Sequence, residues 1–176
     1  MRPLLAAACA SAALLAAAPA PAGAKPRPRD LWATVNVCDT EAQPNALGVR
    51  ARMPGDARRR RAQMYVRFRV HHFSESEGIW HNVGGSGISR WFRLGSARVR
   101  HREVGYTFRF DPPADGGRFV LRGVVEYQWR ERRRMGRRKK LRTVVVRRAR
   151  ANTKGGFEST AGADPPGFSS GLCEIR

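Results

Sequence analysis

The stretch Met64-Tyr65-Val66-Arg67-Phe68-Arg69-Val70-His71 alternates apolar and polar side chains without a break. Its even-numbered residues are all apolar, whereas its odd-numbered residues are tyrosine, arginine or histidine. Side chains alternate between the two faces of a strand, so this order places every apolar side chain on one face. Helical spacing would scatter the arginines around the axis. The stretch therefore predicts a β-strand with one buried face.

The same alternation recurs on both sides of this stretch. It predicts strands at residues 31–38, 47–53, 105–110 and 119–130, a hairpin partner at 141–148, and weaker strands at 78–83 and 88–94. No window of a dozen residues shows apolar spacing of three and four, which a helix would need. We therefore expect an all-β fold, a single antiparallel immunoglobulin-like β-sandwich of about seven to eight strands closed by one disulfide. A small closed barrel is the alternative.

The amino-terminal segment predicts export. Arg2 is followed by an almost uncharged, Ala/Leu-rich run over residues 3–18 and then by Ala22-Gly23-Ala24, the order of a secretory signal peptide with a small-residue cleavage site. We predict a signal peptide at residues 1–24, a flexible basic arm at 25–30 and one domain at 31–176. The protein is then secreted, with the cell wall as a possible place of attachment. The apolar run in this leader is too short, and too rich in Ala and Pro at its end, to serve as a mature membrane anchor. No later segment approaches eighteen consecutive apolar residues, so no membrane span is expected.

The cysteines support this compartment. Cys9 falls in the predicted leader, which leaves Cys38 near the start of the domain and Cys173 near its end. An even pair in an oxidising compartment favours a disulfide, and two buried free thiols are the alternative. Residues 151–176 have the Gly, Ser and Pro content of a disordered segment but also contain large apolar side chains. We expect an irregular tail docked on the sandwich and held there by Cys173.

Three segments of the chain carry a resemblance. They are Trp32-Ala33-Thr34-Val35-Asn36-Val37-Cys38-Asp39-Thr40, Phe119-Val120-Leu121-Arg122-Gly123, and Ser159-Thr160-Ala161-Gly162-Ala163-Asp164-Pro165-Pro166-Gly167-Phe168 with Cys173. They resemble small secreted proteins of unknown function from high-GC actinobacterial genomes, with an immunoglobulin-like β-sandwich. The resemblance implies an exported domain whose two cysteines belong to shared motifs. It implies no particular activity, ligand or catalytic residue.

The chain is strongly basic, and its charge is concentrated. It has 34 Lys and Arg against 14 Asp and Glu, a net charge of +20. Nine basic residues lie at the tip of the predicted 119–148 hairpin, where Met135-Gly136 is the expected turn: Arg130, Arg132, Arg133, Arg134, Arg137, Arg138, Lys139, Lys140 and Arg142. Such a ribbon could bind a polyanion, for example an anionic cell-envelope polymer or extracellular nucleic acid. The alternative is that these arginines only solvate the protein.

A second run of arginines occupies residues 58–61, and the sequence does not show whether it meets the hairpin. Tyr127 and Trp129 share the apolar face of their strand and are expected in the core. Trp80 and Trp91 either form an exposed rim or pack over a sheet edge. Sequence-specific nucleic-acid motifs are absent, so no such binding is expected.

Catalytic and metal patterns are weak. His71 and His72 are neighbours on a strand and point to opposite faces, and no ligand spacing completes a site with His81. Gly84-Gly85-Ser86-Gly87-Ile88 lacks the last glycine of a nucleophile elbow. We expect no metal, no cofactor and no catalysis. The alternative is an extracellular hydrolase of envelope polymers that uses acids and histidines around residues 79–94. A third alternative is a structural domain that pairs with a partner through a sheet edge. The arginine-rich outer faces of the strands argue against it, because charged side chains block edge pairing.

Overall fold

A computed structural model describes residues 31–176, and the predicted signal peptide and basic arm lie outside the described residues. Nine strands form this part of the chain: β1 Trp32–Thr40, β2 Gln43–Pro54, β3 Gln63–Ser74, β4 Ile79–Asn82, β5 Phe92–Ser96, β6 His101–Arg109, β7 Phe119–Met135, β8 Lys140–Asn152 and β9 Cys173–Ile175. Helical structure among these residues is limited to single 3₁₀ turns at Ala57–Arg59, Gly85–Gly87 and Ala114–Gly116. None of them has the length and apolarity needed to cross a membrane.

The strands form two antiparallel sheets, which confirms the all-β prediction. One sheet has the order β1-β2-β6, and the other has the order β4-β3-β7-β8, with β5 also on β3 and β9 also on β7. About seven to eight strands were expected, and the described residues contain nine. The additional strand is β9, three residues long, in the segment predicted to be irregular.

The apolar faces of both sheets contribute to one core. The four even-numbered residues of the opening stretch, Met64 to Val70, are fully buried, as their alternation predicts. Leu47, Val49 and Met53 of β2 join them from the other sheet. Tyr127 and Trp129 of β7 are also fully buried, in agreement with their place on the apolar face of that strand.

A buried hydroxyl links the two sheets. The Tyr127 side chain of β7 donates a hydrogen bond of 2.8 Å to the backbone oxygen of Trp32 in β1. Burial raises the pKa of Tyr127 far above its ordinary value, so the hydroxyl keeps the proton that it donates. The Tyr127 side chain therefore packs in the apolar core and also joins β7 to β1 by a hydrogen bond.

Replacing Tyr127 with phenylalanine is expected to lower the free energy of unfolding by about 1–2 kcal/mol, because the carbonyl of Trp32 loses a buried donor. Chemical denaturation at neutral pH measures the change. Tyr106→Phe is the matched control, since the Tyr106 ring also packs in the core region and no hydroxyl contact is seen for it within residues 31–176. Equal losses in the two variants would assign the effect to packing alone.

The carboxy-terminal residues cover β1 on the side away from the core. Val35 of β1 exchanges two backbone hydrogen bonds with Ser170, of 2.9 and 3.0 Å. The Trp32 ring stacks on Phe157 with centroids 4.5 Å apart. As a result, six consecutive residues from Trp32 to Val37 are buried, although the alternation predicted only one buried face.

The predicted disulfide is present and joins the two sheets. Cys38 of β1 is bonded to Cys173 of β9, with Cα atoms 5.3 Å apart and a sequence separation of 135. Because β1 belongs to the smaller sheet and β9 pairs with β7, the bond links one sheet to the other. It also fixes the end of the segment that covers β1.

Candidate functional site

The basic hairpin is longer than the sequence indicated. Strands β7 and β8 stay paired up to Met135 and Lys140, and the turn occupies residues 136–139. The expected turn at Met135-Gly136 is wrong for Met135, which is the last residue of its strand. Gly136 and Lys139 both have positive φ, +73° and +46°, and Lys139 donates a backbone hydrogen bond of 2.9 Å to Gly136. Glycine at the first position of this four-residue turn adopts the positive φ without a steric penalty.

Eight of the nine predicted contact residues are exposed on this hairpin: Arg132, Arg133, Arg134, Arg137, Arg138, Lys139, Lys140 and Arg142. Arg130 differs from them, because it is half-buried on the outer face of the larger sheet. Its guanidinium lies 4.2 Å from the ring centre of Tyr65 and 4.6 Å from that of Trp91. Arg130 is thus engaged by aromatic rings and lies outside the exposed set.

The exposed arginines of β7 divide between two faces of the hairpin. Side chains alternate along a strand, so Arg133 shares a face with Glu131, whereas Arg132 and Arg134 point the opposite way. Arg133 lies across from Arg142 and donates a hydrogen bond of 2.7 Å to Glu131. The Glu131 face is the one that continues from the core residue Trp129.

The structure brings the second arginine run to this face. An open groove of about 560 Å³ is lined by Ala57, Arg58, Arg59, Arg60, Arg61, Glu131 and Arg133. We call this the basic groove. A neighbouring groove of the same size is lined by Arg59, Arg133, Arg134, Met135, Val144, Val145 and Val146. Residues far apart in sequence therefore form one cationic surface.

Asp56 holds the arginine loop in place. Its buried carboxylate accepts hydrogen bonds from the backbone N–H of Arg58 at 3.0 Å, from Arg59 at 3.0 Å and from Arg147 of β8 at 3.2 Å. Burial alone would raise the pKa of Asp56, but these hydrogen bonds outweigh it and the pKa lies below its ordinary value. The carboxylate thus fastens the loop to the base of the hairpin.

The preceding residue brings the loop close to its neighbour. Gly55 donates a backbone hydrogen bond of 2.9 Å to Arg100, and Asp56 donates one of 2.9 Å to Ala97. A side chain at Gly55 would place its Cβ only 1.7 Å from the carbonyl oxygen of Val99. Only glycine permits this approach.

The two acids near the groove are already paired with arginines. Glu131 is held by Arg133, and Asp56 by Arg59 and Arg147. Within residues 31–176, the exposed arginines at 58, 60 and 61 form no ion pair. The groove therefore keeps a net positive charge available to a ligand.

No protein-family model, curated protein or solved structure matches this chain.

The histidines and acids of the hydrolase hypothesis do not form one site. His81 contacts Glu77 at the tip of the β3–β4 hairpin, where both side chains are about half exposed. His72 packs edge-on against Phe119, whereas His71 lies on the outer face of the larger sheet. Among the described residues, no group of three His, Cys, Asp or Glu is arranged to hold a metal ion.

The outer face of the larger sheet carries arginines stacked on aromatic rings, a feature that sequence reasoning underestimated. Arg67 lies 4.7 Å from the ring centre of Trp91, and Arg122 lies 4.1 Å from that of Trp80. Both tryptophans are half-buried, so they form neither an exposed rim nor part of the core. The signal was the run of arginines at alternate positions of β3 and β7.

Proposed function

We propose that this protein is a secreted, non-catalytic domain that binds anionic polymers of the cell envelope through the basic groove and the adjoining exposed basic residues of the hairpin. The disulfide supports an extracellular location, since such bonds persist in oxidising compartments. Two antiparallel sheets around one core support, at the finer level, an immunoglobulin-like β-sandwich. Attachment to the cell wall follows from the choice of ligand and belongs to the same proposal.

The observation that carries the proposal is the meeting of two arginine runs in one open groove. Solvated loops have no need to converge, because like charges repel each other when they approach. Here residues 58–61 and Arg133 line the same wall, and Asp56 supplies a fixed support for them. A polymer with repeated negative charges gains several contacts at once and releases its counterions, so its affinity falls steeply with salt.

The charge contribution can be measured with three variants that each lose two positive charges: Arg60→Gln with Arg61→Gln in the groove, Arg137→Gln with Arg138→Gln in the turn, and Arg109→Gln with Lys154→Gln as the control. The control residues are exposed and lie on β6 and after β8. Retention on isolated cell wall, an acidic glycan and DNA is measured over a salt series. For DNA, each groove or turn pair is expected to reduce the slope of log K against log salt by about 2.

The control pair is expected to leave that slope nearly unchanged. Equal losses in all three variants would contradict the groove, because net charge alone would then explain retention. Weak and equal retention on all three matrices would mean that the arginines only solvate the protein. Preference for one matrix names the ligand class.

The hydrolase alternative keeps one supporting observation, the contact between Glu77 and His81. An acid and a histidine in contact can exchange a proton with a substrate. Because both side chains are exposed, water is not excluded from them, and this weakens the hydrolase alternative. Release of soluble fragments from the cell-wall or glycan matrix during the retention experiment would favour this function over simple binding.

A further inference from the structure

Three basic side chains meet on the outer face of the larger sheet, far from the basic groove. His71 of β3 and Arg122 of β7 are direct cross-strand partners, so their side chains share a face. Arg150 of β8 reaches the same place, with its Nη2 3.3 Å from Nε2 of His71. Three different strands therefore supply one cluster, which lies about 36 Å along β7 from Arg133.

This cluster has no acidic partner within the described residues. Glu126, the cross-strand partner of Arg150, is already shared by Arg67 at 2.6 Å and Arg69 at 3.1 Å. Neither Arg122 nor Arg150 forms an ion pair in residues 31–176. Like charges held together without a counter-charge cost free energy, and an anion at this point would remove that cost.

Two polar N–H groups of the cluster are buried without a partner in the described part of the chain, Nε of Arg122 and Nδ1 of His71. An arginine can only donate, so Nε2 of His71 is the acceptor and the imidazole proton lies on Nδ1. Burial first, and then the charges of Arg122, Arg150 and Arg69, hold the pKa of His71 below its ordinary value. Buried donors without acceptors in a native protein call for an explanation, and an ordered water or an ion is among the usual ones.

We propose that His71, Arg122 and Arg150 form a discrete site for one tetrahedral oxyanion, the phosphate or sulfate group of a larger ligand. Guanidinium donors from β7 and β8 beside His71 suit an anion with three accessible oxygens better than a planar carboxylate. The ring of Trp80, 4.1 Å below the Arg122 guanidinium, limits the directions in which that arginine can point. This site goes beyond the polymer-binding groove and is independent of it.

The test is an NMR titration of the disulfide-bonded protein with inorganic phosphate, inorganic sulfate and acetate, each against sodium chloride at equal ionic strength. Phosphate and sulfate should produce saturable shifts of the Arg122 and Arg150 Nε–H signals and of the His71 ring, with a Kd on the order of 1 mM. Acetate should bind about tenfold more weakly, because it offers only two oxygens. A difference between phosphate and sulfate identifies the source of the anion.

Bound phosphate should also raise the pKa of His71. The charged neighbours of this ring are Arg69 on its own strand, Arg122 on β7 and Arg150 on β8, while the neutral Asn82 lies opposite on β4. A bound dianion offsets these positive charges and favours the imidazolium. A merely structural cluster would show no such rise.

Arg122→Gln and Arg150→Gln should each weaken phosphate binding about tenfold, as expected for loss of one charge-assisted hydrogen bond. Arg148→Gln is the matched control, since Arg148 is exposed on the same strand two residues from Arg150, and it should change binding by less than about twofold. Arg150 is exposed, so its variant keeps the test valid if Arg122→Gln fails to fold.

The basic-groove variant Arg60→Gln with Arg61→Gln should leave the phosphate titration unchanged, which separates this site from the proposed function. Absence of saturable shifts, or equal weakening in Arg148→Gln and Arg150→Gln, would overturn the proposal. An unchanged pKa of His71 in saturating phosphate would overturn it as well.

Discussion

Replacing Cys38 and Cys173 together with serine is expected to lower the free energy of unfolding by about 2–4 kcal/mol. The bond closes a loop over a sequence separation of 135 residues, so its loss frees a large number of unfolded conformations. It also removes the covalent link between the two sheets. Equilibrium denaturation of the oxidised protein and the double variant measures the difference, with far-UV circular dichroism as the probe.

Native-state hydrogen exchange shows where that loss falls. The amides of β9 and Ser170 should exchange faster in the variant, because the tail is then held only by non-covalent contacts, the pairing of β9 with β7 and the hydrogen bonds to β1. The amides of Val66 and Phe68, two fully buried residues of β3, provide the internal control, since we expect them to open only on global unfolding. A loss below about 1 kcal/mol would show that the tail contacts alone restrain the chain.

Replacing Asp56 with alanine is expected to lower the free energy of unfolding by about 2–4 kcal/mol. The variant leaves Arg59 and Arg147 without their carboxylate and removes the acceptor of the Arg58 backbone N–H. Asp56→Asn is the matched variant, because its side-chain oxygen can still accept the backbone hydrogen bond. It should lose about half as much.

The same variant separates net charge from geometry in polymer binding. Asp56→Ala makes the protein more positive, so a mechanism that depended on net charge alone would predict tighter retention. We expect weaker retention, because residues 58–61 lose their fixed position against Arg133. Tighter retention on every matrix would contradict the groove as a preorganised site.

Asp56 also predicts a loss of stability in acid. Its pKa is lower in the folded protein than in the unfolded chain, so its contribution is complete above the ordinary value of 3.8. The contribution disappears as the pH falls through the lowered folded value. Wild-type protein should therefore lose more stability than Asp56→Asn when the pH is reduced below about 4.

The elements that the sequence predicted well are those whose pattern is local. Residues 64–70 alternate so regularly that one buried face is the only arrangement consistent with them, and the structure confirms it. β9 was missed because three residues give too little pattern, and its position depends on Cys173 and on pairing with β7. The burial of both faces of β1 could not be predicted from local sequence either, because it is produced by a segment more than a hundred residues away.

The same distinction between local patterns and long-range contacts holds for the candidate site. Exposure of Arg137 and Arg138 followed from charge density and turn position. Convergence of residues 58–61 with Arg133 depends on the relative placement of two loops, which no local pattern encodes. The different environment of Arg130 arises from Trp91, a residue about forty positions earlier in the chain.

The covering of β1 has a consequence for how the chain is made. β1 precedes the other strands of residues 31–176, yet its outer edge is completed by Ser170 and its disulfide partner is Cys173. A nascent chain thus carries an incomplete β1 until residues 170–173 have been made. Because the disulfide spans a sequence separation of 135 residues, we expect β1 to reach its final packing only late in the folding of residues 31–176.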